Sequence, residues 1–454
     1  MAINSINPAT NEVLKTFSPH TLAQVEQLLA QADLTFREWR QTPFSHRAAL
    51  MRRAAQELKE NDKSYATTIT LEMGKPIREA QAEINKCALA CEFYAEHAET
   101  YLQDEEISSD ASVSYISYEP LGAVLAVMPW NFPFWQVFRF AAPAIMAGNV
   151  GILKHASNVP QCALAIEEVF RRAGFPEGIF TSLLISSDAV ENLIQDERIK
   201  AVTLTGSEGA GAKVAAVAGR EIKKTVLELG GSDAFIVLAD ADLENTALMA
   251  AKARMINTGQ SCIAAKRFIV EERVAEAFIA KMKAHLQQFK TGDLLAPDTS
   301  YGPLARPDLA ATVQKQVDDS VARGARILLA GGRPDNESAY FHPMMLTDIK
   351  PGMPAHDEEI FGPVACIFEV KNAEEAIRVA NNCQYGLGGS IWSGNLPEAR
   401  RLARQVEAGA VFINGIVQSH PALPFGGIKK SGYGRELSYV GIREFVNQKT
   451  IWVA

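Results

Sequence analysis

The stretch Ala201-Val202-Thr203-Leu204-Thr205-Gly206-Ser207-Glu208-Gly209-Ala210-Gly211, continuing to Ala218, decides the fold. Residues 201–204 form a short apolar run. A glycine-bearing turn follows, and residues 209–218 have helical spacing. Outward from it, strand candidates at Ala123–Val127, Gly151–Leu153 and Phe235–Leu238 alternate with helical patterns such as Pro160–Ala173. Strand–helix alternation predicts a parallel sheet covered by helices, with ligands bound at the carboxyl ends of its strands.

A second alternating series begins after Gly230-Gly231. Its helices are expected near Leu243–Ile256, Arg273–Phe289, Asp308–Arg323, Ala373–Asn381 and Pro397–Val406. Its strands are expected near Phe268–Val270, Ile327–Leu329, Ala365–Val370 and Val411–Asn414. Residues 20–102 read as mostly helical. Residues 108–118 alternate polar with apolar or aromatic side chains and read as an exposed edge strand. The last stretch, Glu444–Ala454, is strand-like and is a candidate partner for it.

The 454 residues suffice for two or three structural units. Lys plus Arg total 45 and Asp plus Glu 53, a formal charge of −8 that argues against general nucleic-acid binding. No apolar run reaches the ~18 residues of a membrane-spanning helix, and the N-terminus does not read as a signal peptide. The cytosol is therefore the expected compartment. Six cysteines lie without a C-x-x-C pair, so neither a disulfide framework nor a metal site is expected. There is no G-x-S-x-G elbow and no H-E-x-x-H pair.

Four segments carry candidate chemistry. Cys262 lies in the turn Asn257-Thr258-Gly259-Gln260-Ser261-Cys262, where a thiol can face a cleft; a small buried hydrophobe is the alternative. Glu228 ends an apolar strand, where burial would raise its pKa toward that of a general base; a structural salt bridge is equally compatible. Asn131, between Pro129 and Pro133, is placed to donate to an oxyanion or simply to make a turn. Gly206-Ser207 opens a helix after a strand, the setting in which a helix N-terminus holds a pyrophosphate.

In this order the segments Pro129–Pro133, Lys154, Gly206-Ser207, Glu228–Gly231, Gly259–Cys262, Glu359–Val364 and Phe425–Gly432 resemble the aldehyde dehydrogenase superfamily across most of the chain. Within it, the likeness is greatest to the bacterial enzymes that oxidise succinate semialdehyde. The resemblance implies an α/β fold with a Rossmann-like NAD(P)-binding domain (1–107 and 119–229), an α/β catalytic domain (230–436) and a β oligomerisation arm (108–118 and 437–454). It implies a homodimer or homotetramer, a small aldehyde substrate, and NAD or NADP as cofactor. It assigns Cys262 as nucleophile, Glu228 as the base for the deacylating water, and Asn131 as the oxyanion amide. Trp130, Lys154, Ser157, Gly206, Ser207, Leu229, Glu359 and Phe361 become cofactor contacts.

Some positions depart from the family pattern. Position 157 is Ser where many NAD-specific relatives carry Glu. A carboxylate would repel a 2′-phosphate and Ser would not, so NADP is permitted and NAD is not excluded. Position 264 is Ala, so no second cysteine stands ready to oxidise with Cys262. For the substrate, Arg139 and Ser419 match carboxylate contacts of the succinate-semialdehyde enzymes, though a structural ion pair is equally compatible for Arg139, and Trp135 matches a tunnel wall, with core packing as the alternative. Ile256 replaces a further arginine. The expected substrate is succinate semialdehyde; the alternative is another short aldehyde, neutral or amino-bearing.

Overall fold

Two sheets organise the computed structural model, which describes residues 2–454. The first has six strands in the order Gly432–Tyr433, Lys224–Glu228, Ile199–Thr205, Ala123–Met128, Val150–His155 and Phe180–Ser182. Its pairs are parallel except for the Gly432–Tyr433 edge. Central strands such as Ala123–Met128 are buried almost throughout, which is why they read as continuous apolar runs rather than alternating ones.

Chain order runs from Ala123–Met128 out through Val150–His155 to Phe180–Ser182, then returns to place Ile199–Thr205 on the opposite flank. The reversal therefore lies between Ala123–Met128 and Ile199–Thr205. Ligands of open α/β sheets bind in the crevice at such a switch point. The carboxyl ends of four adjacent strands lead there to Trp130 and Asn131, to Lys154 and Ser157, to Gly206 and Ser207, and to Glu228 and Leu229.

The second sheet has seven strands: Arg326–Leu329, Met344–Thr347, Val364–Val370, Arg267–Glu271, Ala234–Val237, Gly388–Trp392 and Ala410–Ile413. It is parallel apart from the first pair. Cys262 lies just before the strand Arg267–Glu271, and Glu359 and Phe361 just before Val364–Val370. The amino edge of this sheet thus meets the carboxyl edge of the first. Trp130 and Phe361 touch edge to face across the junction, with ring centroids 5.9 Å apart.

The helical N-terminal region comprises Leu22–Trp39, Phe44–Glu60, Asp62–Met73 and Ile77–Tyr101. Gly74, at φ 85°, ends the third helix in a left-handed cap, and the fourth turns back to pack against the second, the third and the helix Trp135–Met146. The helix Trp135–Met146 is buried along its whole length. Burial on every side and the internal Pro143 hide it from periodicity. The hairpin Ile3–Ile6 with Val13–Phe17 is also absent from the sequence reading, because the second strand is largely exposed and does not alternate.

Val113–Pro120 pairs antiparallel with Val446–Val453 over eight residues, Ile116 opposite Thr450, and Glu105–Glu106 adds a short third strand. Residues 108–112 lie outside the ladder.

Candidate active site

Cys262 sits on a loop whose backbone is set by its own sequence. Asn257 and Thr258 both adopt left-handed φ values, 51° and 55°, and Gly259 follows at 77°. A Cβ on Gly259 would lie 2.4 Å from the Gly362 carbonyl carbon, so only glycine fits. Three groups clamp the loop. Arg254 donates to the Gly259 carbonyl at 2.8 Å. The Gln260 carboxamide accepts from Ala305 N–H at 2.8 Å. Lys266 Nζ donates to the carbonyls of Ser261, Cys262 and Ala264 at 2.9, 2.9 and 3.1 Å.

Asn131 reaches this loop from the first sheet. Its Nδ2 donates to the Gln260 carbonyl at 3.0 Å, while Asn257 Nδ2 donates to the Asn131 carbonyl at 2.8 Å. A carboxamide nitrogen carries two hydrogens. One anchors Asn131 to the cysteine loop, and among the described residues the other has no acceptor.

Desolvation pushes the Cys262 thiol up to about 12, only partly opposed by Arg139 and Lys266. Glu228, 2 % exposed at the end of its strand, is pushed well above the usual carboxylate range, first by burial and then by the neighbouring carboxylate of Glu436. Neither Glu228 oxygen has a hydrogen-bond partner within the protein. A Cβ on Gly426 would lie 2.6 Å from Glu228 Oε1, so the Phe425-Gly426-Gly427 turn needs glycine there.

At the switch point, Ser207 caps the helix Glu208–Arg220, its hydroxyl accepting from Ala210 N–H at 3.3 Å. Nothing approaches within 4 Å of where a Gly209 Cβ would stand, and only a Leu204 methyl, at 3.5 Å, lies near that of Gly206. The first turn is thus open to an anion. Lys154 is buried at the end of its strand, and burial lowers its pKa. Ser157 is exposed beyond it. Leu229 N–H donates to the Ser431 carbonyl at 3.0 Å. Glu359 accepts from Gly231 N–H at 3.1 Å and pairs with Lys266 at 3.2 Å. A Cβ on Gly230 would lie 2.3 Å from Glu359 Oε2, so the Gly230-Gly231 pair is what admits this carboxylate.

A cavity of about 420 Å³ opens on Cys262 from the side away from the switch point, lined by Lys86, Phe132, Trp135, Arg139, Ser419 and Phe425 among others. It brings together the three residues expected at the substrate. Trp135 Nε1 donates to Ser419 Oγ at 3.1 Å. Arg139 is fully buried in an ion pair with Glu436, donates to Thr205 Oγ1 at 3.3 Å and lies over the Phe425 ring. Its charge is thus committed inside the protein. Lys86, which sequence reasoning did not single out, also enters the cavity. The available signal was the spacing of Glu79, Glu83 and Lys86, which sets them on one face of the helix Ile77–Tyr101. Lys266 was missed too, although it lies only four residues past Cys262.

A strand-end crevice at a switch point, beside a buried cysteine loop and a cavity that opens on the cysteine, is the arrangement of an oxidoreductase of the aldehyde-oxidising kind. Residues 1–451 match the model of the aldehyde dehydrogenase family, and the chain belongs to that family. It is 55% identical, over the full length of both chains, to a probable succinate-semialdehyde dehydrogenase [NADP(+)] of a Synechocystis species. It is 50% identical, again over both full lengths, to succinate-semialdehyde dehydrogenase [NADP(+)] 1 of Mycobacterium tuberculosis. The crystal structure of succinic semialdehyde dehydrogenase from Streptococcus pyogenes with NADP+ superposes with a TM-score of 0.97 at 40% identity, covering all of both chains.

Proposed function

We propose that this protein oxidises succinate semialdehyde to succinate with NADP+. The observation that carries the reading is the cavity shared by Cys262, Lys86 and Ser419, which offers a nucleophile and unspent hydrogen-bond donors to one short acidic aldehyde. The names of the full-length relatives point to the same substrate and cofactor.

The residues at the switch point fit a dinucleotide. The open first turn at Gly206-Ser207 would take the pyrophosphate, Lys154 and Ser157 the adenosine ribose, and Glu359 the nicotinamide ribose. Trp130, Leu229 and Phe361 would enclose the ring. With Ser at 157, no carboxylate at that position opposes a 2′-phosphate. Bound there, the nicotinamide supplies the two-electron acceptor for the hydride that leaves the thiohemiacetal carbon.

The protein's own residues do the rest. The Cys262 thiolate attacks the aldehyde carbon, and the resulting oxyanion is met by the free Asn131 N–H and the Cys262 amide. Loss of hydride leaves a thioester on Cys262. Glu228 then takes a proton from water as the oxygen attacks that thioester. The C–S bond breaks, the sulfur departs as thiolate, and the acid is released. A carboxylate with a raised pKa suits the proton transfer, because its affinity for a proton approaches that of the species it must deprotonate.

The paired strands Val113–Pro120 and Val446–Val453 leave Val113, Trp452 and Val453 exposed, which suits an arm that docks on another copy in a homodimer or homotetramer. Among the described residues no helix is long and apolar enough to cross a membrane, and the reading is of a cytoplasmic enzyme. The test is reduced-nicotinamide formation from succinate semialdehyde with NADP+ and NAD+ side by side, with Cys262→Ala as control. Turnover favouring NADP+ and abolished in the variant is the expected result. Absence of turnover with both cofactors refutes the reading.

A further inference from the structure

Lys266 is 2% exposed and does not line the cavity in front of Cys262. Its backbone is fixed by the second sheet. Its N–H donates to the Asp233 carbonyl at 3.1 Å, and its own carbonyl accepts from Cys366 N–H at 3.0 Å. The side chain turns back to the cysteine loop. There the ammonium holds the carbonyls of Ser261, Cys262 and Ala264, with the Glu359 carboxylate beside it at 3.2 Å. A buried ammonium is costly without such partners; burial lowers its pKa and Glu359 opposes the fall.

Of the three carbonyls, that of Ser261 bears on the chemistry. It shares a planar peptide unit with the Cys262 N–H, and in a trans peptide the two point in opposite directions. A group that fixes the carbonyl therefore aims the N–H. Ser261 O accepts twice, from Lys266 Nζ at 2.9 Å and from Ala264 N–H at 3.1 Å, so both its lone pairs are engaged. The Cys262 N–H meets no acceptor among the described residues. Other donors grip the loop one peptide or more earlier: Arg254 holds the Gly259 carbonyl, and Asn131 and Asn257 hold that of Gln260. A positive charge on the Ser261 carbonyl also polarises the amide, which makes the Cys262 N–H a stronger donor.

We propose that Lys266 is a positioning residue of the oxyanion site, holding the Ser261–Cys262 peptide so that its N–H is aimed and polarised toward the oxygen that forms on the aldehyde carbon. The inference rests on the reading of Cys262 as the nucleophile. It gives the buried ammonium a task that a neutral donor does less well. A charge fixed behind the peptide is already in place when the oxyanion develops, so nothing has to reorganise at that moment.

The test uses two reactions of the Cys262 sulfur in wild type, Lys266→Met and Lys266→Gln, with no cofactor and with the rates of Cys262→Ala subtracted. With 4-nitrophenyl acetate the sulfur bonds to the ester carbon and the carbonyl oxygen becomes an oxyanion, whose collapse expels 4-nitrophenolate. With iodoacetamide the sulfur displaces iodide directly and no oxyanion forms. Both reactions need the thiolate, so the ratio of acylation to alkylation rates cancels the thiolate fraction. A general loosening of the loop slows both and leaves the ratio in place. In Lys266→Met the ratio should fall roughly 10- to 100-fold, approaching the loss of one oxyanion donor. In Lys266→Gln, whose carboxamide still reaches a carbonyl but carries no charge, it should fall about three- to tenfold. An unchanged ratio in either variant overturns the proposal, and if Lys266→Met does not fold, Lys266→Gln decides alone. The two failures are separable. If Cys262→Ala reacts with both reagents as fast as wild type, the nucleophile reading falls and Lys266 falls with it. If Cys262→Ala is inert and the Lys266 variants keep the wild-type ratio, only the role of Lys266 is refuted.

Discussion

Replacing Arg139 by methionine separates a structural cation from a substrate-binding one. Arg139 and Glu436 are 2% and 4% exposed and pair directly, and Glu436 also faces the buried Glu228. Removing the guanidinium leaves a buried carboxylate without its counter-charge and beside a second acid. Breaking one partner of a buried pair costs about 3–5 kcal/mol, against a few tenths for a surface pair. The Phe425 ring, now packed against the guanidinium, loses its cation as well.

The assay is urea denaturation of wild type, Arg139→Met, Glu436→Gln and the double variant. Arg139→Met should lose about 3–5 kcal/mol, and the double variant should recover most of it because no charge is stranded. The sign of the pH dependence follows. Burial already raises the Glu436 pKa, and without Arg139 it rises further above its unfolded value near 4.3. The folded variant then holds a proton that the unfolded chain releases. Its deficit is smallest in acid and grows as pH climbs from about 4 through the folded-state pKa. If Arg139→Met is instead as stable as wild type and loses only affinity for the acidic aldehyde, the guanidinium belongs to the substrate and the reasoning is wrong.

Four further outcomes are expected. Glu228→Gln should form about one equivalent of reduced nicotinamide per site and then stall at the thioester, seen as a burst in rapid mixing; steady turnover would remove Glu228 from deacylation. Ser157→Glu should lower kcat/KM for NADP+ at least about tenfold while sparing NAD+, read by parallel cofactor titrations. Gly259→Ala should destabilise the enzyme by roughly 2–5 kcal/mol in thermal melts, since its Cβ meets the Gly362 backbone at 2.4 Å and φ is 77°. In wild type the KM for succinate semialdehyde should climb as pH passes about 8 and Lys86 loses its proton, among the fixed neighbours Glu79, Glu83, Lys75, Arg139, Cys87 and Lys252; a flat profile to pH 10 would contradict that.

What the sequence revealed divides along the distance over which each residue acts. Gly230-Gly231 and Gly259 were legible because a close approach demands glycine, and Gly206-Ser207 because it joins a strand to the start of a helix; the functional side chains follow within a few positions. The central strands of the first sheet were legible because both faces are buried, so each is a largely apolar run; the short edge strands Phe180–Ser182 and Gly432–Tyr433 were not. The helix Trp135–Met146 was not, because burial on every side erases the 3.6-residue period. Arg139 shows the other limit. Its residue type and place fit a substrate contact and a structural ion pair equally, and nothing nearby in sequence announces Glu436, which arrives from the C-terminal turn after Gly434. Lys86 is the converse case, an unremarkable helical lysine until Ser419 and Trp135 close around it.

The same burial that shapes the site also keeps it quiet. Burial pushes the Cys262 thiol up to about 12 and the Glu228 carboxyl above its usual range, because both charged forms would need water that the resting centre does not supply. Cys262 is therefore not a standing thiolate. Its proton has to leave as the sulfur attacks the aldehyde carbon. The arrangement protects as well as it activates. With Ala264 where a second cysteine would sit, and Cys366 and Cys162 buried elsewhere, a protonated Cys262 has no neighbour with which to oxidise and little reactivity until substrate arrives. Discrimination among aldehydes then falls to the far wall of the cavity, where Lys86 meets Ser419 and the Trp135 ring.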